Sequence, residues 1–169
     1  GIAAFKSHDL IRGLREAGAS VTPVLTEAGK EFVTPLSISV LSGSKVYADL
    51  FDLEDETQMG HIELSRNSDL IVIVPATADL LAKMASGLAN DLASTLLLAT
   101  DTEVLAAPAM NVRMWEHLAT RRNIQLLKKD GISFIGPVEG SMACGEFGFG
   151  RMAEPEQIIV AIKKKLSLG

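Results

Sequence analysis

The chain has 169 residues, enough for one domain with a substantial core and too few for two ordinary ones. A formal net charge of -5, with no long basic run, argues against nucleic acid as a partner, and a hydrophobic share of 47% with few aromatics points to a compact protein rich in small aliphatic side chains. The single cysteine, Cys144, can form no internal disulfide, no segment has the order of a signal peptide, and no apolar run nears the ~20 residues that span a bilayer, so a reducing, cytoplasmic setting is expected.

Gly1 to Lys6, GIAAFK, reads as a small-residue turn leading into a helix. Such a turn normally follows a strand, so a first strand is expected ahead of Gly1, in a native gene product longer at this end. His8 to Gly18 places Leu10, Ile11 and Leu14 on one helical face and stops at Gly18. Val21 to Thr26, Asp69 to Ala76, Glu103 to Ala109 and Ile132 to Pro137 are short aliphatic runs that end in small or turn residues, as buried parallel strands do. Pro155 to Leu166 closes the chain as a helix, with Ile158, Ile159, Ile162 and Leu166 on one face, acids at its start and lysines at its end. Strands alternating with helices predict an α/β fold, a three-layer, doubly wound, Rossmann-like domain over residues 1–169 with a mostly parallel sheet. No repeat, low-complexity tract or linker interrupts it.

In such a sheet ligands bind beyond the carboxyl ends of the strands. Thr26, the turn Pro75 to Asp79 and the turn Pro108 to Asn111 all fall there, and each opens a predicted helix whose free amides make an anion site. Taken singly, Thr77, Asp79 and Asn111 are more simply read as helix caps. Three of them in one crevice favour a ligand. His8, His61 and His117 are far apart, and without CxxC or HxxxH spacing no metal site is expected.

The stretch GSMACGEFGFGRM, Gly140 to Met152, holds the lone cysteine. A free cysteine is usually a buried small hydrophobe. Here the density of glycine predicts instead a shaped loop, poor as strand or helix, that carries Cys144 at the surface.

The motifs GIAAFK, MGHIEL (Met59 to Leu64), PATADLLAKMASGLANDL (Pro75 to Leu92), PAMNVRMW (Pro108 to Trp115) and ACGEFGFGRM (Ala143 to Met152) together resemble the homo-oligomeric flavin-containing cysteine decarboxylases. The resemblance runs from Gly1 to about Pro155, and its last two motifs are the most specific. It implies FMN held by Gly1 and Ile2, by Thr26, by the turn Thr77, Ala78, Asp79 and Leu80, and by the backbone near Ala109. It implies catalytic roles for His61 and Cys144, and a substrate site at Asn111, Met142 and Ala143 with Asn111 on the substrate carboxylate. Relatives often carry asparagine where Asp79 stands, which weakens that one assignment.

The motifs are most like those of members that act on 4'-phosphopantothenoylcysteine in coenzyme A biosynthesis, and this implies that small molecule as substrate. The resemblance also implies a trimer or a multiple of three, including a dodecamer, and in bacteria a frequent fusion to the preceding ligase. Losing CO2 directly from a cysteine carboxylate leaves an unstabilised carbanion. Family enzymes use FMN to oxidise the thiol to a thioaldehyde, which accepts those electrons as an enethiolate, and hydride then returns. That return needs a proton donor, and a thiol, mostly protonated at neutral pH, can serve. The alternatives are a non-catalytic flavin-binding regulator of the same fold, a peptidyl-cysteine decarboxylase that stops at the enethiol, and a flavin prenyltransferase. Met114 and Trp115 are expected to pack the helix after Asn111.

Overall fold

The computed structural model describes residues 1–50, 60–142 and 144–167, apart from the side chain of His61. A 3-10 helix at Ile2–Lys6 runs directly into α1 (Ser7–Glu16), followed by α2 (Glu27–Lys30), α3 (Pro35–Ser42) and α4 (Gly60–Arg66). Then come β1 (Ile71–Ala76), α5 (Ala78–Ser86), α6 (Leu92–Ala99), β2 (Val104–Pro108), α7 (Val112–Glu116) and α8 (Leu118–Lys129). The last elements are β3 (Ser133–Phe134), the hairpin β4 (Val138–Ser141) and β5 (Phe147–Arg151), and α9 (Pro155–Lys165).

The strands β1, β2 and β3 form one parallel sheet in that order. All five residues of β2 are buried, because successive side chains point to opposite faces and both faces are covered. Leu105 and Ala107 join Leu10 of α1 with Met152, Ala153, Ile158 and Ile162. Val104 and Ala106 join Leu81 of α5 with Ile124 and Leu127 of α8. The result is the helix-sheet-helix layering expected from the alternating pattern. Each largely buried aliphatic side chain in these layers contributes about 1.5–3 kcal/mol relative to exposure.

α9 carries out its sequence pattern. Pro155 occupies the first turn, Glu154 and Gln157 form a reciprocal capping box, and Ile158 and Ile162 enter the core. A smaller cluster of Ala4, Ile11, Val33 and Ile38 joins the 3-10 helix and α1 to the α2–α3 region.

Three expectations need correction. Val21 to Thr26 is not a strand but a single parallel bridge between Val24 and Tyr47, where Tyr47 N–H donates to Pro23 and Leu25 N–H donates to Tyr47. Pro23 has no N–H of its own, which shortens any ladder there. The predicted run Ile132 to Pro137 yields only Ser133–Phe134, because Gly136 adopts φ +75° and turns the chain away. The glycine-rich segment is not a loop throughout but an antiparallel hairpin with Cys144 in its turn. Gly148 and Gly150 lie within β5, Gly148 against the Val112 side chain and Gly150 against the Met110 carbonyl, where backbone leaves no room for a side chain.

Candidate functional site

The site is built at the carboxyl ends of β1 and β2. Ala76 pairs with Pro108, and the Ala109 N–H donates to the Ala76 carbonyl at 3.1 Å. This bond sets the turn after β1 beside the turn after β2. Thr77 is extended, and its Oγ1 accepts from Leu80 N–H at 3.3 Å, so it caps α5. The earlier amides of that turn, Ala78 and Asp79, belong to the group that helix geometry leaves without an intrahelical carbonyl. Gly1 lies against Thr77, where an added Cβ would touch Thr77 Cγ2 at 3.5 Å. Gly1 and Ile2 therefore begin the chain at the same crevice, with Ile2 exposed.

Thr26 also caps a helix, its Oγ1 accepting from Gly29 N–H at 3.1 Å, but it stands beyond the Val24–Tyr47 bridge, outside the three-stranded sheet. Asp79 is not a cap. It pairs with Lys83 at 3.4 Å, and Lys83 reaches on to Asp91, the N-cap of α6, at 3.3 Å. Burial alone would lower Lys83, but hydrogen bonds to Asp91 and Asp79 hold it above its ordinary value. Burial alone would raise Asp91, but hydrogen bonds from Ser94 and from Lys83 pull it down.

Asn111 caps α7 through one atom only. Its Oδ1 accepts from Met114 N–H at 2.8 Å. Because that donor requires the oxygen, the two side-chain N–H groups are turned the other way, with the residue exposed. Asn111, Arg113, Met114, His117 and Thr120 line a surface depression. Trp115 packs against the α5–α8 core as expected, whereas Met114 is exposed.

The hairpin is seated on this turn. Met110 N–H donates to the Gly150 carbonyl at 2.9 Å, and Gly148 lies against Val112. A Cβ on Gly150 would stand 3.3 Å from Met142 Cε and 3.4 Å from the Asn111 carbonyl carbon, so Met142 and Asn111 flank the same glycine. Two backbone bonds close the hairpin turn, Met142 N–H to Glu146 at 2.7 Å and Gly145 N–H to Met142 at 2.9 Å. Cys144 is exposed, and its thiol donates to Glu146 Oε2 at 3.7 Å. Glu146 Oε1 accepts from Arg113 Nε at 2.7 Å, which raises the Arg113 pKa above its ordinary value.

Gly1, Thr77, Ala109, Asn111, Met142 and Cys144 thus belong to one connected edge of the molecule. His61 lies on α4, but its side chain is outside the described residues, as are Met59 and Ala143. Ser65 on α4 bonds Thr100 at 2.5 Å, and Thr102 Oγ1 donates to the Ser65 carbonyl, which fixes that helix to the chain leaving α6. Sequence reasoning missed Arg113 and Glu146, although an acid two residues after the cysteine was a legible signal. It also missed Lys6, Glu154 and Arg151. Glu154 accepts from Lys6 and from Arg151, both at 2.8 Å, and so ties the 3-10 helix to the end of the hairpin.

Residues 1–167 match the family model described as Flavoprotein. The chain is 51% identical over 159 residues to the coenzyme A biosynthesis bifunctional protein CoaBC of Vibrio vulnificus, covering 94% of this chain and 40% of that protein. To the protein of the same name from Escherichia coli it is 48% identical, covering 94% of this chain and 39% of that one. The chain therefore spans about two fifths of the length of these curated relatives. Among solved structures, it superposes on a PPC decarboxylase mutant complexed with pantothenoylaminoethenethiol with a TM-score of 0.89 and 32% identity, covering 98% and 93% of the two chains. On the FMN binding protein AtHal3 the TM-score is 0.86 at 32% identity, covering 100% and 93%.

Proposed function

The chain belongs to the Flavoprotein family, and from that premise we propose that it is an FMN-dependent decarboxylase acting on 4'-phosphopantothenoylcysteine. The observation that carries this assignment is the seating of the Cys144 hairpin on the Asn111 turn through Met110 and Gly150. It sets a carboxylate-binding amide and a thiol on one edge, beside the turn that would hold the flavin.

The residues present fit FMN. The first-turn amides of α5, Ala78 and Asp79, suit its phosphate, Gly1 packs against Thr77 with no side chain of its own, and the Ala109 backbone lies beside the same turn. Gly1, Ile2, Thr77, Ala78, Leu80 and Ala109 would hold it, with Thr26 and Asp79 at the margin. When bound, FMN supplies a two-electron oxidation of the substrate thiol and gives the electrons back as hydride at the end. Asn111 donates its free side-chain N–H groups to the substrate carboxylate and holds it until CO2 leaves. Met142 borders the substrate, and the family resemblance gives His61 a catalytic role and Ala143 a place in the substrate site. The enethiolate left by CO2 takes a proton on carbon from the Cys144 thiol, leaving the Cys144 thiolate to be reprotonated from solvent.

The same assignment includes a homo-oligomer in multiples of three, a cytoplasmic setting and a following ligase domain, with residues 1–169 as the flavoprotein domain. Ile2 and Phe5, exposed apolar residues next to Gly1, support a crevice completed by a neighbouring copy. No helix among the described residues is long and apolar enough to cross a membrane. The decisive experiment is anaerobic incubation of the purified, FMN-loaded protein with 4'-phosphopantothenoylcysteine. Formation of CO2 and 4'-phosphopantetheine is expected, and a flavin-loaded protein that releases no CO2 would overturn the assignment.

A further inference from the structure

The Glu146 carboxylate has two partners on two different elements. Oε2 accepts the Cys144 S–H within the hairpin turn, and Oε1 accepts Nε of Arg113, which lies two residues past Asn111 on α7. We propose that Glu146 is a positioning residue for the last proton transfer, orienting the Cys144 thiol and holding the hairpin turn against α7. This inference rests on the decarboxylase assignment, and nothing in that assignment calls for Glu146.

Each arm has a separate purpose. A thiol has one proton and can rotate freely about the Cα–Cβ and Cβ–S bonds, so without an acceptor the S–H has no fixed direction. Glu146 supplies that acceptor, and only the protonated thiol can donate to it. Arg113 fixes Glu146 in turn, because a charge-assisted guanidinium–carboxylate bond is shorter and more directional than a neutral one. The chain Arg113–Glu146–Cys144 therefore transmits the position of α7, which Asn111 caps, to the group that delivers the proton. Carboxylate binding and proton delivery are registered against the same helix.

The ion pair contributes little to folding. The Arg113 side chain is 86% exposed, and exposed pairs of this kind add at most a small increment to stability. Its removal should leave the fold unchanged, so effects on the thiol can be read without unfolding.

Among the described residues the charged groups facing Cys144 are Glu146 in its own turn and Arg113 from α7. Because Cys144 is the only cysteine, iodoacetamide labelling reports this group alone.

The test uses the FMN-loaded protein with Glu146→Gln and Arg113→Ala. Each substitution frees the thiol from its acceptor, so alkylation of Cys144 should be faster in both Glu146→Gln and Arg113→Ala, by about 3-fold or more in Glu146→Gln and less in Arg113→Ala. In single turnover with 4'-phosphopantothenoylcysteine, Glu146→Gln should leave FMN affinity and the rate of flavin reduction unchanged. It should shift product from saturated thiol toward enethiol, by about 10-fold in ratio. A merely structural link would leave both alkylation rates unchanged, or lower flavin reduction and product together. Either result overturns the proposal, as does an unchanged product ratio. If the wild type releases no CO2, the decarboxylase assignment has failed, and with it the proton-transfer role proposed here, while faster alkylation in both variants would still show Glu146 orienting the thiol.

Discussion

A Cβ placed on Gly150 would stand 2.3 Å from the carbonyl oxygen of Met110. The same glycine has φ +142°, and its own carbonyl accepts the Met110 N–H at 2.9 Å. Backbone meets backbone here, so no side-chain rotation can relieve a clash. Gly150→Ala should cost about 2 kcal/mol or more through strain and displacement of the hairpin. A urea titration should show the lowered midpoint. An unchanged midpoint would mean that the hairpin is not seated as described.

Asn111 uses its oxygen for the helix, and no described residue accepts from its side-chain N–H groups. Aspartate caps helices as well as asparagine does, so Asn111→Asp should preserve stability. It also removes both donors and places a negative charge before the substrate carboxylate, so turnover should fall by about 100-fold or more. Asn111→Ala should lose activity and, in addition, about 1 kcal/mol of stability. Near-normal turnover by Asn111→Asp would exclude the carboxylate role.

Cys144→Ser keeps the size of the side chain and substitutes a far weaker acid. CO2 release and flavin reduction should continue in a single anaerobic turnover while the enethiol accumulates, two hydrogens lighter than the saturated thiol by mass spectrometry. Repeated turnover to the saturated thiol would exclude Cys144 as the required donor.

Glu154 is held below its ordinary value, chiefly by the Lys6 hydrogen bond, against a smaller burial effect and with help from Arg151. A carboxylate with a depressed folded pKa stabilises the fold above its unfolded value, and that contribution disappears as pH falls through the folded value. Urea midpoints of the wild type should therefore decline below the ordinary glutamate range near pH 4.3. Glu154→Gln should be less stable than the wild type at pH 7 and approach it in acid. A stability difference that is constant across this range would show that Glu154 is not ionically paired in solution.

The helices Ser7–Glu16 and Pro155–Lys165 and the strands Ile71–Ala76 and Val104–Pro108 were legible in sequence because local spacing and burial agree. So were the capping roles of Thr77 and Asn111 at the strand ends. The hairpin was not, because its glycines answer to a distant segment, Met110 to Val112, rather than to their own neighbours. Val21 to Thr26 has the composition of a strand, yet pairing depends on a partner, and among the described residues only Tyr47 is aligned to supply one. Arg113 and Glu146 are separated by 33 positions, so their pairing could not be read from proximity along the chain.

Four residues of β2 feed two cores through one backbone, Leu105 and Ala107 on one side and Val104 and Ala106 on the other. Neither core can open without dismantling the strand that supports its counterpart. Amide protons along Val104–Ala107 should therefore exchange with deuterated solvent only through global unfolding, and their exchange rates should follow overall stability. The turns after β1 and β2 emerge directly from this common backbone. Ligand groups placed there are held by the most cooperative part of the molecule.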